Sequence, residues 1–308
     1  MKRRDFLLKS VNAGILTGAA LSVGNVSNLF GTQMTGSADL PYDLIAVRGG
    51  SPADMFDKAI ASMGGMSKFV QKNQTVVVKP NIGWDAPPER AANTNPQLIK
   101  RIIEHCLKVG AKEVYVFDNT CNEWTKCYRN SGIENAVKDA GGKMVTGKTE
   151  GHYQEVSVPR GKSLHDAKVH ELILDSDVFI NVPVLKRHGG AKLTIAMKNL
   201  MGIVWDRRYW HSNNLHQCIA DFPTFKKPDL NVVDAYRVLK RNGPRGVSVN
   251  DVVMMHSLLL STDIVAVDTA ATKLFGLDIN QVPYIEKAES LGLGTTNLES
   301  LKIDRIKI

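Results

Sequence analysis

The chain of 308 residues has four cysteines, Cys106, Cys121, Cys127 and Cys218, and no two of them form a C-x-x-C pair. Ferredoxin runs and zinc-ribbon spacings are missing too, which excludes a locally encoded cluster or zinc motif. There is no G-x-G-x-x-G, Walker loop, G-x-S-x-G or H-E-x-x-H. Their absence argues against dinucleotide, NTPase, α/β-hydrolase and zincin chemistry. Lysines are dispersed under a formal net charge of only +8, some of it carried by Lys2, Arg3, Arg4 and Lys9. Such a distribution offers neither a polybasic arm nor a nucleic-acid stripe, so no nucleic-acid partner is expected.

Hydrophobic residues make up 43% and charged residues 23%, the balance of an ordinary globular protein. The opening Lys2-Arg3-Arg4-Asp5-Phe6-Leu7 has the twin-arginine export pattern, followed by a mildly apolar stretch from Val11 to Val23 broken by Gly14 and Gly18. That stretch is too short and glycine-rich for a spanning helix of ~20 residues. The reading is a twin-arginine signal over 1–24, recognised by the export machinery, and a Gly/Ser/Thr/Asn linker over 25–41. An exported, periplasmic protein with no stable span after signal removal is expected. Oxidising surroundings would permit a Cys121–Cys127 disulfide, which spacing alone leaves open.

From residue 42 to 308, strand and helix signals alternate. Strands are expected at Asp43–Val47, Thr75–Lys79, Glu113–Phe117, Asp177–Val182, Asn231–Val233 and Ser257–Leu260. Helices are expected after the Ser51-Pro52 start, after Asn95-Pro96 up to Gly110, over Ile133–Ala140, and near Ala266–Phe275 and Tyr284–Leu291. Near-continuous apolar strands followed by helices predict an α/β fold, a mostly parallel sheet with helices on both faces. It forms a single main domain with a mid-chain insertion around Gly147–Lys168.

Polar residues cluster where strands end, the edge at which open α/β sheets place ligands. They are Lys79 and Asn81, Asp118, Asn181 with Lys186 and His188, Asp234, and Asp263, joined by Lys198-Asn199. Gathered lysines need a negative partner, so a small anionic ligand is expected to bind Lys79, Asn81, Asn181, Lys198, Asn199, Asp234 and Asp263. A crowded lysine loses its proton easily, which makes Lys186, His188 and Asp118 the candidates for proton transfer. The competing reading pairs each lysine with a nearby aspartate such as Asp118 or Asp234. His211, His216 and Cys218 carry metal-compatible atoms at a spacing of no familiar zinc site, beside the aromatic segment Trp205–His211.

Those same blocks resemble the family called domain of unknown function 362. The carriers are Val77-Val-Lys-Pro-Asn81, Gly110-Ala111 before a strand ending at Asp118, and Asp177-Val-Phe-Ile-Asn-Val-Pro-Val-Leu-Lys-Arg-His188. They continue through Thr194-Ile-Ala-Met-Lys-Asn-Leu-Met-Gly202, Leu230-Asn-Val-Val-Asp234 and Ser261-Thr-Asp-Ile-Val-Ala-Val-Asp268. The resemblance spans about Leu44 to Leu298 and identifies the domain without supplying a reaction. Some members carry a ferredoxin-like module, so the resemblance implies an iron–sulfur cofactor that the four scattered cysteines here do not match. Three functions therefore stand open. They are an enzyme for a small anionic substrate, a metal- or iron–sulfur-dependent redox protein loaded before export, and a non-catalytic binding protein.

Overall fold

The computed structural model describes residues 40–308, so the expected signal over 1–24 and nearly all of the expected linker lie outside the described residues. Twelve strands occur there: β1 (Leu44–Arg48), β2 (Thr75–Pro80), β3 (Glu113–Val116), β4 (Lys143–Met144), β5 (Tyr153–Ser157) and β6 (Asp166–His170). Then come β7 (Val178–Val182), β8 (Val184–His188), β9 (Lys192–Thr194), β10 (Leu230–Leu239), β11 (Val252–Ser261) and β12 (Ile303–Lys307). Ten of them form one sheet in the order β12-β1-β11-β10-β7-β2-β3-β4, with β8 on β10 and β9 on β8.

Pairing is parallel at β3–β4, β2–β3, β2–β7, β7–β10, β8–β10 and β1–β12. It is antiparallel at β1–β11, β10–β11 and β8–β9. The sheet is thus mixed but mostly parallel, as expected. Its two faces are filled by alternation within single strands. Val77 packs with Phe117 and Phe179, whereas Val76 and Val78 pack with Val114 and Ile180 on the other side. Burying each such valine contributes roughly 1.5–3 kcal/mol.

Helices Pro52–Ser62, Pro96–Lys108 and Ile133–Asp139 supply the apolar side chains of the second face, and Ile264–Phe275 and Tyr284–Ser290 those of the first. The Ser51 hydroxyl accepts from the Asp54 amide while the Asp54 carboxylate accepts from the Ser51 amide, a reciprocal cap ahead of Pro52. Asn95 caps Pro96–Lys108 by accepting from the Gln97 amide, and Leu98, Ile99, Ile102, Ile103 and Cys106 form its buried stripe.

Two features depart from expectation. The residues after Val182, where no further strand was expected, form one: Pro183 has no amide hydrogen, so β7 stops there and the chain resumes as β8 along β10. β11 runs antiparallel to β10, placing Ser261 opposite Asn231 at the start of β10. The turn at Asp263 therefore heads away from the edge where β2, β3 and β7 end. Within the expected insertion, β5 and β6 form a two-stranded sheet of their own. Among the described residues, no helix is long and apolar enough to cross a membrane.

Candidate functional site

Lys79 is the penultimate residue of β2, and its register partner on β7 is Asn181, whose partner on β10 is Asn231. All three are fully buried in one row across the sheet. The Asn181 amide donates to Asn231 Oδ1 at 3.0 Å and to the Ala196 carbonyl at 3.0 Å. Asn199, closing helix Ala196–Asn199, lies over this row. Its Nδ2 donates to Asn181 Oδ1 at 2.9 Å, and its Oδ1 accepts from Lys79 Nζ and Asn81 Nδ2, each at 3.0 Å. Asp268 anchors that helix by accepting from the Ala196 and Met197 amides at 2.7 and 3.1 Å, and burial raises its carboxyl to about 8.

Lys79 Nζ also donates to the Pro80 carbonyl at 2.7 Å and lies 3.1 Å from Asp118 Oδ1. With its hydrogen bonds directed at Pro80 and Asn199, its meeting with Asp118 is chiefly one of opposite charges. Asp118 uses its other oxygen to accept from the Ile82 amide at 2.7 Å. Burial pushes the Lys79 ammonium down and Asp118 pulls it back up. Gly202 makes this approach possible. A Cβ there would stand 1.9 Å from Asp118 Oδ1 and 2.5 Å from Lys79 Nζ.

Lys186, on β8, is 1% exposed, and its Nζ donates to Asn81 Oδ1 at 3.0 Å and to the Ala92 carbonyl. No carboxylate among the described residues pairs with it, and burial, aided by the Lys198 and Lys79 charges, lowers it to about 7. Lys198 is 9% exposed and reaches the cavity with no hydrogen-bond or ion-pair partner among the described residues. Burial, then the Arg207 and Lys79 charges, bring it down to about 8. The Arg207 guanidinium grips the carbonyls of Asn119 and Thr120 at 2.6 and 2.7 Å. His188 Nδ1 accepts from the Ala191 amide at 3.1 Å, so the neutral ring carries its proton on Nε2. Burial foremost, with Lys198 and Lys186 nearby, holds that ring neutral.

These groups line one cavity of about 1250 Å³ at the C-terminal edge of β2 and β3. Lys79, Asn81, Asp118, Lys186, His188, Lys198 and Asn199 all face it, as the sequence suggested, and so do Cys121, Lys148, Arg207 and His211. The ribbon β5–β6 supplies Glu155, Asp166 and Lys168 as an outer wall. The pairing of each lysine with its own aspartate holds for Lys79 alone.

Three expected ligand-binding residues are not on the wall. Asn181 sits a layer behind, orienting Asn199. The Asp234 carboxylate accepts from the Asn95 and Tyr236 amides, at 2.8 and 3.0 Å, and burial raises it to about 6. Asp263 caps helix Ile264–Phe275 through the Val265 and Ala266 amides, both at 2.8 Å. The metal candidates are likewise dispersed. The His211 ring stacks on His188 with centroids 6.2 Å apart, His216 stacks on Tyr284 at 6.1 Å, and Cys218 is buried in the core. No group of three or more His, Cys, Asp or Glu poised for a metal occurs among the described residues. All four cysteines are free, Cys121 exposed and Cys127 buried.

Sequence reasoning passed over Arg207, Cys121 and Lys148 as ligand-facing groups. Arg207 was visible in the aromatic segment after Gly202, and Cys121 immediately follows Asp118-Asn119-Thr120. Lys148 had no local signal.

The sequence pattern of the family described as Domain of unknown function (DUF362) matches residues 76–273. A thylakoid-associated protein of Synechocystis sp. is 26% identical over 245 residues, covering 77% of this chain and 74% of that protein. Among solved structures, the lactate racemase apoprotein of Thermoanaerobacterium thermosaccharolyticum superposes with a TM-score of 0.51 at 12% identity. That likeness, one of fold, covers 74% of this chain and 56% of the racemase.

Proposed function

Because the chain belongs to the DUF362 family, and the matched residues 76–273 contain every cation discussed above, we propose that the cavity binds a small anion bearing carboxylate or phosphate groups. The observation that carries this reading is Lys198, nine-tenths buried and without a partner among the described residues. A mostly buried ammonium beside other cations and without a counter-charge is costly, and an anion entering the cavity between Lys198, Lys186 and Arg207 would relieve that cost. The racemase of similar fold is named for a small carboxylate, lactate, which is the class of ion this lining suits.

Proton transfer would fall to Lys186, which faces the cavity and is lowered to about 7, while the neutral His188 ring would offer its Nε2 hydrogen to a ligand oxygen. Asp118 would act mainly as the fixed counter-charge of Lys79, since both of its oxygens are engaged.

Titration calorimetry with oxalate, succinate and inorganic phosphate tests the reading. At least one should bind, and Lys198→Met should weaken it by about 1.5–3 kcal/mol, roughly ten- to hundredfold in Kd. Absence of heat with all three would overturn it.

The Arg3-Arg4 pair supports export to the periplasm through the twin-arginine route. Fractionation of cells expressing the full chain should find Arg3→Lys/Arg4→Lys retained in the cytoplasm. Unchanged export of that variant would refute the assignment.

A further inference from the structure

We propose that Lys198 is a carbonyl-trapping amine that forms an imine with a small oxo acid, whose carboxylate the neighbouring cations hold. This inference rests on the anion-binding reading above and deepens it by assigning the substrate class and a covalent role.

Five lysines line the cavity; Lys148 and Lys168 stand at its outer part, while the three buried ones reach it from β2, β8 and helix Ala196–Asn199 and differ in their surroundings. Lys79 Nζ donates to Pro80 and Asn199 and lies 3.1 Å from Asp118 Oδ1, so its surroundings are already filled by partners of its own. Lys186 is 1% exposed and points its hydrogens at Asn81 Oδ1 and the Ala92 carbonyl. Among the buried lysines of the wall, only Lys198 is free of hydrogen bonds within the described residues; Lys148, also without a partner there, is exposed. Like charges on Arg207 and Lys79, together with burial, favour its neutral form, which is available near pH 8. A desolvated amine beside other cations is the arrangement that activates a lysine nucleophile. The same cations attract a carboxylate and orient the carbonyl attached to it.

Neutral Lys198 Nζ adds its lone pair to the carbonyl carbon, and the carbonyl oxygen leaves as water. Both hydrogens of that water come, in net terms, from the amine, so a C=N bond replaces C=O with no oxidant or reductant. His188, with its hydrogen on Nε2, faces the same cavity and is placed to donate a hydrogen bond to the carbonyl oxygen, which takes its second proton from the nitrogen by way of water.

The test incubates the folded protein separately with glyoxylate, pyruvate and 2-oxoglutarate in the presence of cyanoborohydride, followed by peptide mass mapping. Lys198 should gain the mass of one acid less one oxygen atom, before exposed lysines away from the cavity such as Lys143 react. Labelling should rise with pH through about 8, be suppressed by oxalate, and vanish in Lys198→Arg. Mapping on the wild-type chain keeps the test decisive should that variant misfold. If oxalate binds by calorimetry but none of the three acids labels Lys198, the imine is overturned while anion binding stands. If oxalate, succinate and phosphate give no heat and Lys198 stays unlabelled, both fall.

Discussion

Replacing Lys79 by Met would remove one partner of an ion pair whose side chains are 0% and 3% exposed, leaving the Asp118 carboxylate buried without a counter-charge. Breaking a buried pair from one side costs about 3–5 kcal/mol, because the remaining charge keeps its desolvation penalty and loses its attraction. Two further acceptors, the Pro80 carbonyl and Asn199 Oδ1, would each lose a hydrogen bond worth about 1 kcal/mol. Partial relaxation offsets some of this, so a net loss of about 4 kcal/mol is expected. In a domain of this size that lowers the melting temperature by roughly 10 °C. Urea unfolding followed by circular dichroism measures the change, and a double-mutant cycle with Asp118→Leu apportions it. The double variant should recover part of the loss, since two apolar groups can replace a buried pair at little cost. Salt should barely alter the effect, because the pair is shielded from the ionic atmosphere. A Lys79→Met protein within 1 kcal/mol of wild type, or a second substitution that simply adds to the damage, would refute the ion-pair argument.

Gly202→Ala places a methyl 1.9 Å from Asp118 Oδ1 and 2.5 Å from Lys79 Nζ, so the variant should be destabilised by about 1–3 kcal/mol in the same assay. It should also lose anion affinity, and wild-type calorimetric and melting behaviour would contradict the contact. The Lys198 environment predicts a pH signature. Folding lowers this lysine to about 8 from its ordinary 10.5, so between those values the unfolded chain binds the extra proton. Stability contributed by this residue must therefore rise with pH across that window, by up to ~1.4 kcal/mol per unit. Subtracting the Lys198→Met profile from the wild-type one isolates the effect and cancels the opposing slope of the buried cysteines. A flat difference curve would show that the ammonium is solvated.

Much of the fold was readable because burial on both faces writes itself as unbroken apolar strands. Thr75–Lys79 and Asp177–Val182 became β2 and β7 to within a residue at each end. The run from Val184 to His188 was not readable as a strand, since Lys186, Arg187 and His188 mask it and its pairing with β10 is non-local. Lys79, Lys186 and Lys198 were legible because each lies at or just beyond the end of a run readable as a strand, or on the helix over the sheet, whereas Lys148, on a loop, was not. Asp234 and Asp263 were misplaced for a physical reason: a carboxylate that caps backbone amides and one that meets a ligand occupy the same kind of position in a sequence. Only the strand direction of β11 and the amides of Asn95, Val265 and Ala266 separate the two cases.

The ribbon of β5 and β6 shares its ladder with no strand of the large sheet and meets the segment before Trp205 through a single bridge of Val169 to Val204. Its loop is fastened by other means: the amides of Lys162, Ser163 and Leu164 all donate to Asp221 Oδ2, and Val158 and Leu164 are buried in the core. Glu155 and Asp166 therefore ride on a rim hung from helix Leu215–Asp221, whereas Lys79, Lys186 and Lys198 stand on the large sheet and its supporting helix. Loss of the Asp221 carboxylate would loosen that rim while leaving every rung of the main ladder in place.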